Sequence, residues 1–342
     1  MLIHSIIFLL GLGILYLGAE WLVQGSSDLA KRFGIRPLVI GLTIVALGTS
    51  LPEFLLNFFA VMMEEDGLAI GNIIGSNISN IALILGVSAI VMPLTFDDFA
   101  LKKEYPMMLA TTGLFYILAL DGMISRIDGG ILLSGLLAFM VYIVRDALAH
   151  ARNGNRQDSA AAMVECEPST PDQESNGFTM KRLRAIMDDP KMAPYFRVLL
   201  ILAGMAALAV GARLMVDSAV GIASILEIAP ILIGLTIVAI GTSLPELAAS
   251  LMCAFKGEAD MSVGNILGSN MFNILFVVGF VALIRPMEIE PVTITQHFPV
   301  LIGFSILLYP LARRKHNLSR VDGSILLVAF LTYLIWLIYP HL

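Results

Sequence analysis

The chain has 342 residues, of which 58% are hydrophobic and 14% are charged, and its mean hydropathy is +0.86. A soluble domain of this length cannot bury so much apolar surface, so the composition excludes an ordinary soluble protein and indicates a lipid bilayer as the solvent. The formal net charge is −6, and in a membrane protein the placement of the charges is more informative than their sum.

Ten apolar segments follow one another along the chain. Each is about 20 residues long, which is the length needed to cross ~30 Å of hydrocarbon. The first segment has no basic stretch before it and no small-residue cleavage site after it, so we expect a retained span rather than a signal peptide. We therefore predict an all-α membrane protein with ten transmembrane helices, near 3–23, 37–63, 70–92, 105–120, 128–147, 197–216, 228–255, 263–284, 292–311 and 321–339.

The basic residues favour one orientation in the membrane. If both termini lie outside, all but Arg126, Arg213 and Arg285 of the 21 Lys and Arg residues fall on the inside. Cytoplasmic loops of membrane proteins are enriched in Lys and Arg, so this orientation is predicted. The polar connector at 150–196 is then cytoplasmic, and its composition predicts that it is largely disordered.

A long motif occurs twice in the chain. The stretch GLTIVALGTSLPE at 41–53 returns 193 residues later as GLTIVAIGTSLPE at 234–246, and GNIIGSNISN at 71–80 returns as GNILGSNMFN at 264–273. Each half contains five spans, and an odd number of crossings reverses the orientation of the second copy. We predict two inverted five-helix repeats, at 1–149 and 197–342, as in many secondary transporters.

The first repeated motif places an acidic residue after a helix break inside the membrane. Pro52 and Pro245 lack an N–H group and remove a hydrogen bond from the helix. Glu53 and Glu246 follow directly, and an ionised carboxylate at this depth costs about 2.5–3.5 kcal/mol on insertion scales. A neutral glutamic acid that only bridges helices is the alternative, but it does not explain why carboxylate, proline and hydroxyls recur in both halves.

Neutral oxygen donors accompany each glutamate. A Thr-Ser pair precedes it, and the second motif adds a Ser and an Asn spaced i, i+4, which therefore share one helix face. Ca²⁺ takes about six to eight oxygen ligands, and Na⁺ uses the same kind of donor. These residues predict a cation site in the middle of the membrane that is suited to counter-transport.

The second motif also contains residues with a packing role. The pairs Gly71/Gly75 and Gly264/Gly268 are of the GxxxG type, which lets another helix backbone approach closely. Asn72 and Asn265 are expected to form hydrogen bonds with neighbouring helices. The two cysteines lie in different segments of the chain, so they indicate neither a disulfide framework nor a metal–thiolate centre.

With these two motifs, the chain resembles the cation/calcium exchanger superfamily, and specifically the prokaryotic sodium/calcium exchangers. The resemblance covers nearly all of the chain except the connector. It implies exchange of Ca²⁺ for Na⁺ by alternating access. It also implies ion-binding residues at the matching motif positions, where the two alanines would contribute backbone carbonyls: Ala46, Thr49, Ser50, Glu53, Ser76, Asn80, Ala239, Thr242, Ser243, Glu246, Ser269 and Asn273.

The resemblance leaves alternatives within and beyond the superfamily. Some relatives, including potassium-dependent exchangers, place an aspartate where this chain has Asn273, so potassium co-transport is not expected. A proton/calcium exchanger, a passive cation channel and a transporter of another divalent ion remain open at this point. We expect no enzymatic activity, no cofactor and no nucleic-acid partner. The expected partners are the two transported ions and the lipid bilayer.

Overall fold

The computed structural model of the protein describes residues 1–97, 100–161, 193–226, 239–314 and 316–339, without the side chains of 148–161, 193–194 and 239. These residues form fifteen α-helices, which we number α1 to α15. Their bounds are Leu2–Phe33, Pro37–Ile40, Ala46–Thr49, Leu51–Met62, Asp66–Ser79, Leu85–Val91, Tyr105–Ala119, Arg126–Ala161, Ala193–Ile225, Ala239–Thr242, Leu244–Phe255, Ala259–Phe272, Gly279–Ile284, Phe298–Arg313 and Arg320–Ile338. Five π-helical turns join or begin helices, at Gly41–Val45, Asn80–Ile84, Ala100–Glu104, Asn273–Val278 and Thr293–His297.

The helices form the two predicted inverted repeats of five spans. Seven helices, taken with their π turns, are long and apolar enough to cross a membrane, and the bent pair α2–α3 with α4 makes an eighth span. The other two spans are α7 and the segment that ends with α10 and α11, of which 227–238 lie outside the described residues. Most of the connector also lies outside them, but α8 continues to Ala161, beyond the predicted repeat boundary at 149.

Two short β-ribbons join loops from different halves. Strand β1 (Leu94–Thr95) pairs antiparallel with β4 (Asn317–Leu318), and β2 (Met123–Ile124) pairs with β3 (Met287–Glu288). The sequence predicted that the loops of the first pair lie on one side of the membrane and those of the second pair on the other. We call the face with β1 and β4 the inner face, and the face with β2 and β3 the outer face.

The two helices that carry the second motif form the centre of the molecule. In the spans 66–91 and 259–284, 78% and 83% of the most apolar 18-residue stretch is buried. The corresponding share in the other five continuous spans is 22–33%. Other helices therefore enclose these two spans, whereas the peripheral spans turn most of their surface to lipid. The repeated motifs are therefore placed where both halves meet.

Glycines allow the two halves to approach closely at this centre. A Cβ atom at Gly268 of α12 would lie 2.6 Å from the carbonyl oxygen of Leu42 and 2.7 Å from Cβ of Ala46. Gly264 and Gly41 meet backbone atoms of the opposite half in the same way. The GxxxG prediction is thus confirmed for α12. For Gly71 and Gly75 of α5, no described atom lies within 4 Å of the position of a Cβ.

Candidate functional site

The predicted helix breaks separate each Thr-Ser pair from its glutamate. Helix α3 ends at Thr49 and α4 begins at Leu51, with a bend of 44° between them. The second half has the same arrangement between α10 and α11. Proline occupies the first turn of each new helix, where its missing N–H group costs nothing. Each glutamate then lies at a helix N-terminus, whose partial positive charge favours a carboxylate.

The two glutamates lie close together in the protein interior. Glu53 is 1% exposed and Glu246 is fully buried. Their carboxylates are near enough to interact electrostatically. The Ser50 hydroxyl donates a hydrogen bond of 3.2 Å to Oε1 of Glu246. A hydroxyl from the first repeat therefore contacts the acid of the second.

Contacts between the halves continue through the second motif. The Thr49 hydroxyl donates to Oδ1 of Asn265 at 3.3 Å and lies 3.4 Å from the Ser269 hydroxyl. In the inverted counterpart, the Thr242 hydroxyl donates to Oδ1 of Asn72 at 3.4 Å. Asn72 and Asn265 thus bond to neighbouring helices, as expected. The described residues of both copies of both motifs therefore meet at one centre.

Several oxygen atoms at this centre have no hydrogen-bond partner among the described residues. They include both carboxylate oxygens of Glu53, Oε2 of Glu246 and Oδ1 of Asn273. The hydroxyls of Ser76 and Ser243 and the side chain of Asn80 are also buried and unpartnered in the described chain. A buried polar atom without a partner is costly. A bound cation would satisfy such oxygens.

The two predicted alanine ligands begin corresponding short helices, α3 and α10. Ala46 is fully buried, and its carbonyl accepts a hydrogen bond from the Ser50 N–H at 3.0 Å and lies 3.3 Å from the Thr49 hydroxyl. The single Thr49 proton can go either to this carbonyl or to Oδ1 of Asn265, and when it goes to Asn265 one lone pair of the Ala46 oxygen is open to a cation. Ala239 is the first residue of α10, and its side chain is among those not described.

Sequence reasoning missed three polar residues at this centre. Asn77 is 1% exposed, and its Oδ1 accepts a 3.3 Å hydrogen bond from Nδ2 of Asn273. Asn57 donates to the carbonyl of Glu53 at 2.6 Å, and Ser250 accepts a 3.0 Å hydrogen bond from Asn265. Asn77 recurs in the second motif and was detectable. Asn57 and Ser250 occupy matching positions with different residues, so the repeat gave no signal for them.

The donor set at this centre consists of two carboxylates surrounded by neutral oxygens. Within the described ranges, no three Asp, Glu, His or Cys side chains gather in a way that could hold a metal ion. Soft or strongly charged metal sites are therefore not indicated there. Carboxylate, hydroxyl, amide and carbonyl oxygens are the hard ligands that Ca²⁺ prefers.

Comparison with known proteins gives consistent matches over most of the chain. The family model described as sodium/calcium exchanger protein matches residues 3–145 and 196–339. The inner membrane protein YrbG of Escherichia coli is 36% identical over 98% of this chain and 96% of its own. The sodium/calcium exchanger MaX1 of Methanosarcina acetivorans is 28% identical over 98% and 99%. A solved structure of the sodium-calcium exchanger NCX_Mj superposes with a TM-score of 0.76 at 32% identity, covering 97% of each chain.

Proposed function

The chain belongs to the sodium/calcium exchanger family and exchanges Na⁺ for Ca²⁺ across a membrane, and we propose that its buried polar centre binds these two ions in turn. The site consists of the twelve predicted residues, with Glu53 and Glu246 as the charged ligands. Two carboxylates balance the charge of one Ca²⁺. The same oxygens bind Na⁺ when Ca²⁺ has left, so that the two ions compete for one set of ligands.

The observation that carries this proposal is the group of unpartnered oxygens around the two glutamates. Asn77 and Asn265 use their side chains to join helices, but the Glu53 carboxylate has no described partner at all. A carboxylate buried in this way is neutralised either by a bound cation or by taking up a proton. A transported cation satisfies the condition and also explains why the motif occurs in both halves.

The orientation in the membrane is part of the same proposal. Both termini and the outer face with β2 and β3 are assigned to the outside, and the inner face with β1 and β4 to the cytoplasm, with the connector 150–196. The support is the uneven placement of Lys and Arg, together with the two ribbons, which join loops of equal predicted sidedness. Residues 1–149 and 197–342 act as two units that enclose the site between them.

A flux assay in proteoliposomes tests the proposed function. Uptake of radiolabelled Ca²⁺ is measured with Na⁺, K⁺ and proton gradients imposed separately. We expect uptake only with an outward Na⁺ gradient, and no effect of a protonophore. Uptake driven only by a pH gradient would assign the chain to proton/calcium exchange, and flux without any counter-ion would assign it to channels.

Two variants test the site itself. Glu53→Gln and Glu246→Gln keep the shape of each side chain but remove its charge, so each is expected to abolish Ca²⁺ uptake while the protein remains folded. Glu65→Gln is the matched control, because Glu65 is exposed in the short turn before α5. Uptake at the wild-type rate in either of the first two variants would refute the assignment of the glutamates.

A further inference from the structure

One hydrogen bond between the halves joins a predicted ion ligand to a residue outside the predicted set. Asn77 lies near the end of α5, and Asn273 begins the π turn that follows α12. Asn273 is fully buried and Asn77 is 1% exposed. Nδ2 of Asn273 donates to Oδ1 of Asn77 at 3.3 Å, whereas Oδ1 of Asn273 has no hydrogen-bond partner among the described residues. The two ends of the Asn273 amide therefore differ in their surroundings.

The orientation of an asparagine amide decides whether it can bind a cation. Its oxygen is an acceptor with two lone pairs, its NH₂ group only donates, and a half-turn of the amide exchanges the two. In Asn273 the open end is the oxygen. Asn273 shares a helix face with Ser269, whose hydroxyl lies 3.4 Å from that of Thr49 at the proposed ion site. The reverse orientation would turn an NH₂ group towards a cation and repel it.

Asn77 supplies the acceptor that this orientation requires. The Asn273 NH₂ group is buried, and a buried donor without a partner is costly. Oδ1 of Asn77 accepts a hydrogen bond from this group. An apolar side chain at position 77 would leave the donor unpaired whenever the Asn273 oxygen faces a cation. The cost would fall on the ion-bound form of the protein, because the amide is free to turn when no cation holds its oxygen.

We propose that Asn77 is a positioning residue of the ion site: it accepts the Asn273 N–H and thereby keeps the Asn273 oxygen turned towards the cation. Asn77 acts through Asn273 and is not itself an ion ligand. This role rests on the proposed function, because it requires Asn273 to belong to the ion site. It differs from a simple link between helices, which would stabilise the protein equally with and without a bound ion.

The equivalent residue of the second half makes a different contact. Asn270 is also 1% exposed, but its Nδ2 donates to the carbonyl of Ile266 in its own helix at 2.9 Å. Neither amide atom of Asn80, the counterpart of Asn273, has a hydrogen-bond partner in the described ranges. Asn270 is therefore a matched control for Asn77, because it is the same residue at the same depth of burial and its NH₂ group bonds within its own helix.

Equilibrium binding of ⁴⁵Ca²⁺ to the purified full-length protein tests the proposal, and the Tm of each variant is measured alongside. Asn77→Leu removes the acceptor at nearly constant volume, and its Ca²⁺ affinity should fall about tenfold, as expected for a buried donor left unpaired. Asn77→Ala repeats this comparison without the bulk of leucine, so misfolding of one variant does not hide the result. Asn77→Asp keeps an acceptor in the same place and should bind Ca²⁺ at least as tightly as the parent. Asn270→Leu should keep the parent affinity.

A change at Asn273 separates positioning from simple packing. In Asn273→Asp both ends of the side chain are oxygens, so either end can face the cation and no NH₂ group needs a partner. The loss of affinity caused by Asn77→Leu should therefore disappear in the Asn273→Asp background. An equal loss in both backgrounds would overturn the proposal, because a simple link between helices is removed in both.

The outcomes separate this role from the proposed function. A parent protein that does not bind Ca²⁺ saturably, or full binding in Glu53→Gln, contradicts the proposed function. Saturable binding by the parent with unchanged affinity in Asn77→Leu and Asn77→Ala overturns the positioning role alone. A loss that Asn77→Asp or Asn270→Leu shares also overturns it. A loss that is confined to the apolar variants of Asn77 and absent in the Asn273→Asp background supports it.

Discussion

Adding one methyl group at Gly268 should separate the two halves at the ion site. In Gly268→Ala the new Cβ would lie 2.6 Å from the Leu42 oxygen, 2.7 Å from Cβ of Ala46 and 2.8 Å from Cα of Leu42. All three atoms belong to the backbone or to a side chain that cannot rotate away. Because 3.4 Å is the lower limit of ordinary contact, α12 must move away from α3 and the π turn before it by most of an ångström.

The cost of this movement follows from its geometry. Overpacking of a tight contact typically costs about 1–3 kcal/mol. The better helix propensity of alanine returns about 1 kcal/mol, which leaves a net loss of stability on the order of 1 kcal/mol. The effect on the site is larger, because the neighbouring Ser269 already lies 3.4 Å from Thr49. Ion sites tolerate displacements of only about 0.5 Å, so affinity for Ca²⁺ should fall at least tenfold.

Thermal unfolding in detergent and equilibrium Ca²⁺ binding measure the two effects. Gly303→Ala is the control, because Gly303 is an exposed position within α14 with no described atom within 4 Å of its Cβ position. Its Tm should stay unchanged or rise, and its affinity should match the parent. If Gly268→Ala kept both the Tm and the Ca²⁺ affinity of the parent, the close approach of the halves at α12 would be refuted.

Three further predictions concern single contacts. Arg285 donates to Asp66 at 3.0 Å and to the Val61 carbonyl at 2.9 Å, so Arg285→Met should lower stability by about 1–3 kcal/mol in thermal unfolding; the exposed Arg213, whose loss should cost under about 0.5 kcal/mol, is the control. Asn265→Leu removes the link to Thr49 and should cost about 1–2 kcal/mol; an unchanged Tm would refute that role. Ser50→Ala should weaken Ca²⁺ binding in a titration, whereas equal affinity would exclude its hydroxyl from the site.

The sequence predicted the architecture because membrane physics leaves few choices. Apolar length indicated the spans, and the repeat indicated the inversion, since five crossings per half reverse the direction of the chain. The break at Pro52 was predicted because proline cannot continue the hydrogen-bond ladder. The bend of 44° confirms that break, and the burial of Glu53 and Glu246 is in accord with their predicted place.

Other features depend on three-dimensional packing that a single sequence does not reveal. The close approach at Gly268 is one of them, because a GxxxG pair permits another backbone to come near but does not show that it is Leu42 of the opposite half. Asn57 and Ser250 contribute because helices from different parts of the chain converge on them. The strands β1 to β4 are two residues long, which is too short for a periodic pattern.

Equilibrium binding of ⁴⁵Ca²⁺ to the purified protein, titrated against Na⁺, would test most directly whether paired carboxylates from opposite halves hold both cations by turns. Saturable Ca²⁺ binding is expected, with full displacement by Na⁺ and complete loss when the charge of either Glu53 or Glu246 is removed. Retained Ca²⁺ binding in one of those variants, or Ca²⁺ and Na⁺ bound together without competition, would contradict a shared site.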